Sequence, residues 1–253
     1  MVELQQISAL LLTLLAGNTL SANVVRTPPT EFRHLYTLNP HGRVVIQNLY
    51  GNVTVTAWDR DAVLVEAVKR STDPKRLEDA RIVVQPSADL LSISTEYTGA
   101  DAAHPASVEY RITVPRRANL ENVKLFNGGL SLTGLSGPVK ASAVNGSIKA
   151  LGLGGQVNLS TVNGRLEANF QHLSRANPIS LSSVNGPILL SIPCGRGVGL
   201  VAQNRSGGIA SDLGVAAHNA TGHRLVVKGS GTQIRLHNVN GRISIHSSEH
   251  PAT

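Results

Sequence analysis

The triplet Val-Asn-Gly recurs at Val144-Asn145-Gly146, Val162-Asn163-Gly164, Val184-Asn185-Gly186 and Val239-Asn240-Gly241, with a variant at Phe126-Asn127-Gly128. Counted from asparagine to asparagine, the intervals up to Asn185 are 18, 18 and 22 residues. A degenerate copy, Asn204-Arg205-Ser206-Gly207, follows 19 residues later, and the Asn240 copy comes after a longer irregular stretch. Self-similarity at a fixed short period is the mark of an architecture built from stacked units.

The flanks repeat with the triplet. Before it stand Val139, Val157, Ile179 and Ile234, and two residues later Ala141, Leu159, Leu181 and Leu236. After it come Ile148, Leu166, Ile188 and Ile243, then Ala150, Ala168, Leu190 and Ile245. Apolar residues thus alternate with Ser, Lys, Arg, Glu and Asn on both sides of each corner, so every unit supplies two short strands. Asn-Gly between alternating strands is also a hairpin signal. A meander of hairpins, however, does not require the same residues to return every 18 positions. A parallel stack does, because equivalent residues then lie above one another at about 4.8 Å per layer.

The expected fold is therefore all-β: a parallel β-solenoid of roughly 18–22-residue turns with a strand-rich N-terminal cap. At its corners, Asn127, Asn145, Asn163, Asn185 and Asn240 form an amide ladder. Gly128, Gly146, Gly164, Gly186 and Gly241 turn the chain, and the triplet valines point inward. Composition agrees with thin aliphatic layers: 41% of residues are hydrophobic but only 3% aromatic, and 24 are glycine.

The organisation expected is a secretory signal over residues 1–22, a first layer and cap over 23–118, repeats over 119–247 and a tail over 248–253. The apolar run Ile7–Ala16 followed by small residues carries the signal reading, although Glu3 stands where a basic residue is usual. The run is too short to span a bilayer as a helix. Val44, Ile46, Leu49, Gly51, Val53 and Val55 follow the repeat's order and read as a first layer. Asp73-Pro74 followed by Lys75-Arg76-Leu77-Glu78 reads as a capped short helix. Strands are expected over Ala80–Gln85, Leu90–Tyr97 and Ser107–Val114, with a loop over Thr98–Ala106.

Ile112-Thr113-Val114-Pro115, Gly134-Leu135-Ser136-Gly137-Pro138-Val139, Asn48-Leu49-Tyr50-Gly51-Asn52-Val53 and Leu91-Ser92-Ile93-Ser94, taken with the Asn-Gly layers, resemble the DUF4097-type family of bacterial adhesin-like proteins. That family is related in style to auto-transporter adhesin heads, and the resemblance spans residues 38–247. It implies a β-helical protein of the periplasm or cell surface with no enzymatic role, and it transfers no functional residues.

The residues themselves point the same way on chemistry. Glycoside hydrolysis usually needs two carboxylates facing one groove. From residue 121 onward the acids are Glu121, Glu167, Asp212 and Glu249, with no close pair and no recurrence at the layer spacing. Calcium-lyase clusters and zinc spacings are also missing. The one cysteine, Cys194, reads as a buried inert thiol. No catalytic residue, metal or cofactor is expected. A β-helical lyase or hydrolase acting on anionic polysaccharide is the alternative.

The net charge of +7 suits anionic partners. With so few aromatics and no basic run, nucleic acid is not expected among them. Arg165 and Arg242 directly follow Asn-Gly corners. With Lys140, Lys149, Arg205 and Arg235 they could form a shallow basic, amide-rich stripe for a glycan, a cell-wall polymer or an envelope protein. Charge reversal at Arg165 and Arg242 is then expected to weaken retention on anionic glycans.

Overall fold

The computed structural model describes residues 30–99, 105–193, 197–213, 218–221 and 223–248. The expected signal segment, Cys194, residues 100–104 of the expected loop and residues 249–253 of the expected tail lie outside the described residues.

Period-two alternation yields strands throughout. The N-terminal elements are β1 (Glu31–Thr37), β2 (Arg43–Tyr50), β3 (Val53–Trp58), β4 (Ala62–Arg70), α1 (Pro74–Asp79), β5 (Ala80–Pro86), β6 (Leu90–Tyr97) and β7 (Ser107–Pro115). The central ones are β8 (Asn119–Asn127), β9 (Leu130–Thr133), β10 (Val139–Asn145), β11 (Ile148–Leu153), β12 (Val157–Asn163), β13 (Leu166–Phe170), β14 (Ile179–Asn185) and β15 (Ile188–Pro193). The chain continues through β16 (Gly199–Ser206), β17 (Ile209–Ser211), β18 (His218–Thr221), β19 (Arg224–Val227), β20 (Gln233–Asn240) and β21 (Ile243–Ser248). The helix starts as its sequence predicts: Asp73 caps it by accepting from the Lys75 amide at 2.9 Å, and Pro74 opens its first turn.

The protein is all-β, with two large, mostly parallel sheets. The ten-stranded sheet runs β1-β4-β7-β3-β9-β11-β13-β15-β21-β17, and the eleven-stranded sheet runs β18-β19-β16-β20-β14-β12-β10-β8-β2-β6-β5. Each repeat unit gives one strand to each sheet. Register follows the repeat: Ala141 pairs with Leu159 and Leu159 with Leu181 in one sheet, while Ile148 pairs with Leu166 and Leu166 with Ile188 in the other. All six are buried, within one continuous aliphatic core. Each leucine or isoleucine among them contributes about 1.5–3 kcal/mol on burial. A one-residue slip would turn every one of them outward, so the register is strongly specified.

Spatial order departs from chain order at both ends. β2 lies between β6 and β8, and β3 lies between β7 and β9. At the other end β20 and β21, though last in sequence, lie between the β14/β15 layer and the β16/β17 layer. Antiparallel strands flank the outermost layers: β4 and β1 in one sheet, β5 and β19 in the other. They supply partners to edges that would otherwise template association.

Candidate functional site

The corners between the sheets form the most regular surface. Asn145 donates through Nδ2 to Asn127 Oδ1 at 2.9 Å, Asn163 to Asn145 at 2.8 Å, Asn185 to Asn163 at 2.9 Å and Asn240 to Asn185 at 2.9 Å. The expected amide ladder is thus present through five layers. A backbone ladder runs beside it, in which the amides of Gly128, Gly146, Gly164 and Gly186 each donate to the asparagine carbonyl of the next layer.

Glycine is required here by close approach more than by dihedral. A Cβ on Gly146 would lie 1.9 Å from the Gly128 carbonyl oxygen, and one on Gly164 would lie 2.2 Å from that of Gly146. Neither of these two glycines has the positive φ found at Gly128 and Gly186.

Two expectations are corrected at the corner. The triplet valines point outward: Val162 and Val184 are 39% and 40% exposed, as Phe126 is at 45% and Leu49 at 47%. Counting by two from buried Ala141 places Ala143 inward and Val144 outward, so strand parity carried the signal. The register stacks Leu49, Phe126, Val144, Val162, Val184 and Val239 into one outward apolar row. In the degenerate copy the corner residue is Ser206, which pairs with Asn240, whereas Asn204 pairs with Asn238 and is buried. Asn204 belongs to an inward column whose polar members serve corner carbonyls. Thr161 donates to Gly146 O at 2.9 Å, Asn238 to Gly186 O at 3.1 Å and Asn204 to Gly241 O at 2.6 Å.

At the N-terminal end this inward column begins with a buried polar network. Asn48 donates to the Val108 carbonyl at 2.8 Å, Thr95 donates to Asn48 Oδ1 at 3.0 Å, and Thr95 shares a 2.7 Å bond with the Tyr110 hydroxyl. Burial pushes the Tyr110 hydroxyl up to about 12, partly opposed by the Thr95 bond. Nothing in the spacing of Asn48, Thr95 and Tyr110 announces this network, because it forms only where β2, β6 and β7 come together in the fold.

The six basic residues of the expected stripe do not share one face. Lys140 and Arg235 lie in one outward column of the eleven-stranded sheet, separated by the Asn158 and Ser180 layers. Arg205 lies on the same sheet in the outermost parallel strand, next to the corner. Arg165 and Arg242 stand on the corner with the Pro187 layer between them. Lys149 belongs to the ten-stranded sheet and pairs in register with Glu167, which also meets Arg165 at 3.5 Å.

Several of the acids meet bases. Glu121 meets Arg43 at 3.2 Å, and Asp212 meets His246 at 3.1 Å while accepting from the Ser247 amide. Asp59 receives a two-pronged contact from Arg116, which holds its carboxyl below the usual range. Among the described residues no group of three or more His, Cys, Asp or Glu converges as a metal site. No helix among them is long and apolar enough to cross a membrane.

Two clefts lie at the N-terminal end. One, of about 280 Å³, is lined by Arg33, Glu66, Arg70, Glu109 and Arg111, and four of these charges pair as Arg33–Glu66 and Arg70–Glu109. The other, of about 180 Å³, is lined by Leu49, Tyr50, Tyr97, Arg76 and Asp79, and begins where the apolar row ends. The Tyr50 and Tyr97 rings meet edge-on at 5.9 Å.

No protein-family profile and no curated protein matches this sequence. Among solved structures the chain is similar to a candidate cell adhesion protein from Clostridium sporogenes, at 9% identity and a TM-score of 0.51, over 86% of this chain and all of that one. A candidate adhesin from Parabacteroides merdae aligns at 11% identity and a TM-score of 0.41, over 87% of this chain and 95% of that one. A candidate adhesin from Bacteroides fragilis aligns at 13% identity and a TM-score of 0.39, over 87% of this chain and 98% of that one. At such identities the first likeness concerns the fold alone.

Proposed function

We propose that the chain is an exported, non-enzymatic, adhesin-like β-solenoid of the bacterial envelope, of the DUF4097 type, that binds an extended polymer. Residues 1–22 are its export signal, the first layer and cap lie within 23–118, and the stacked repeats occupy 119–247. The periplasm or cell surface is its place of action. The observation that carries this reading is the in-register stacking of the repeats. It sets like groups in rows about 4.8 Å apart, and a partner that itself repeats can use several rungs of such a row at once. The description of the Clostridium protein as a candidate adhesion protein accords with a binding role.

The test is a panel of glycans and cell-wall polymers, read for retention and for release of reducing ends. Retention on at least one polymer without release of reducing ends is expected. Failure to bind any polymer would sink the proposal. Time-dependent release of reducing ends would replace it with a lyase or hydrolase.

A further inference from the structure

The outward row Leu49, Phe126, Val144, Val162, Val184 and Val239 has no role in the core. It runs across the strands, parallel to the stacking direction, on the outer face of the eleven-stranded sheet. Polar ladders flank it on both sides. The asparagine ladder lies on one side, and each of its inner amides spends one N–H and one lone pair on its neighbours, which leaves another of each for a ligand. On the other side Ser142, Ser160 and Ser182 stand in register. Strands β8, β10, β12, β14 and β20 carry Lys124, Lys140 and Arg235 outward on this face and a single acid, Glu121, which meets Arg43.

We propose that this row is a binding track for a linear, anionic, β-linked polysaccharide lying along the stack, a specification that rests on the polymer-binding reading above. A pyranose ring has an apolar C–H face and a rim of hydroxyls. Its face fits the aliphatic row, and its rim reaches the amide ladder on one side and the serine ladder on the other. The cleft bearing Tyr50 and Tyr97 continues the track and offers aromatic surface to the chain's end.

Other occupants fit less well. A second copy would bring the same basic residues face to face, and a row one side chain wide falls far short of the roughly 800 Å² per partner of a stable interface. An extended peptide repeats its side chains about every 6.8 Å on one face and would drift out of step with layers about 4.8 Å apart. An acyl chain would leave both polar ladders unused.

The test is affinity electrophoresis of the whole protein in native gels containing carboxymethyl cellulose, hydroxyethyl cellulose or polyphosphate. The F126T/V162T/V184T variant removes apolar surface without changing charge, and its thermal midpoint is measured alongside to confirm folding. The R165E/R242E variant probes the corner instead. Retardation by carboxymethyl cellulose is expected to exceed that by the neutral polymer and by polyphosphate. It should weaken about tenfold or more in the threonine variant and survive in the corner variant. Equal retardation of the threonine variant and wild type, or loss only in the corner variant, overturns the track while leaving polymer binding intact. Binding to other envelope polymers but not to carboxymethyl cellulose overturns the β-linked assignment. If the threonine variant unfolds, Lys124→Glu with Arg235→Glu replaces it, with the same two outcomes. Absence of binding to every polymer sinks the underlying reading and the track with it.

Discussion

Asn163 and Gly164 share a corner yet contribute differently. The Asn163 side chain sits in the solvent-facing ladder, donating to Asn145 and accepting from Asn185. Replacing it with alanine removes two hydrogen bonds that water can partly replace, a loss of about 1 kcal/mol. Gly164 has no such tolerance, since any Cβ meets the Gly146 carbonyl group of the layer beside it. Gly164→Ala forces the layers apart and should cost about 1–3 kcal/mol. Urea denaturation of the two variants should therefore rank Gly164→Ala as the more damaging. The reverse order would mean that the amide ladder, and not backbone approach, holds the corner. The pattern Asn-Gly was visible in the sequence, but the reason for glycine was not, because the group it avoids lies 18 residues away.

At the scale of elements, strands β2, β6 and β7 are tied by the Asn48–Thr95–Tyr110 network. The Tyr110 hydroxyl is raised from 10.0 to about 12, chiefly by burial. A folded-state value above the unfolded one favours the folded chain while the phenol is protonated. That contribution is complete below about pH 10 and is lost as pH rises through about 12. The melting temperature of wild type should accordingly fall across this window more steeply than that of Tyr110→Phe. Parallel curves would show that Tyr110 ionises as freely in the folded state as in the unfolded one. Helix α1 and strand β6 follow their sequence signals closely, since caps and alternation are local. The network is not local, and alternation alone cannot distinguish an inward Asn48 that is hydrogen-bonded from one that is not.

For the whole molecule, the decisive feature is the placement of the last repeat between two earlier ones. Asn240 continues the amide ladder from Asn185, whereas Ser206 lacks an amide and stands at the ladder's end. Cysteine pairs test this order in a Cys194→Ser background. Ser180 and Arg235 are register neighbours, so cysteines there fall within disulfide reach under mild oxidation. Cysteines at Ser180 and Val201 would be two layers apart, about 9.6 Å, and should remain reduced. Cross-linking of the second pair but not the first would restore simple chain-order stacking.

The sequence by itself determined the strand content, the inward aliphatic columns, the repeat register and the amide ladder, because each follows from a local period of two or from identity at a fixed spacing. It also held the outward parity of Val144, Val162 and Val184, although the triplet's regularity suggested a buried valine. Only the tertiary structure decided which layers are neighbours at the two ends, which glycines face a carbonyl, and that the six basic residues divide among the two sheets and the corner. These depend on contacts between segments far apart in the chain, and a repeat specifies the geometry of a layer without specifying which layer lies next to it.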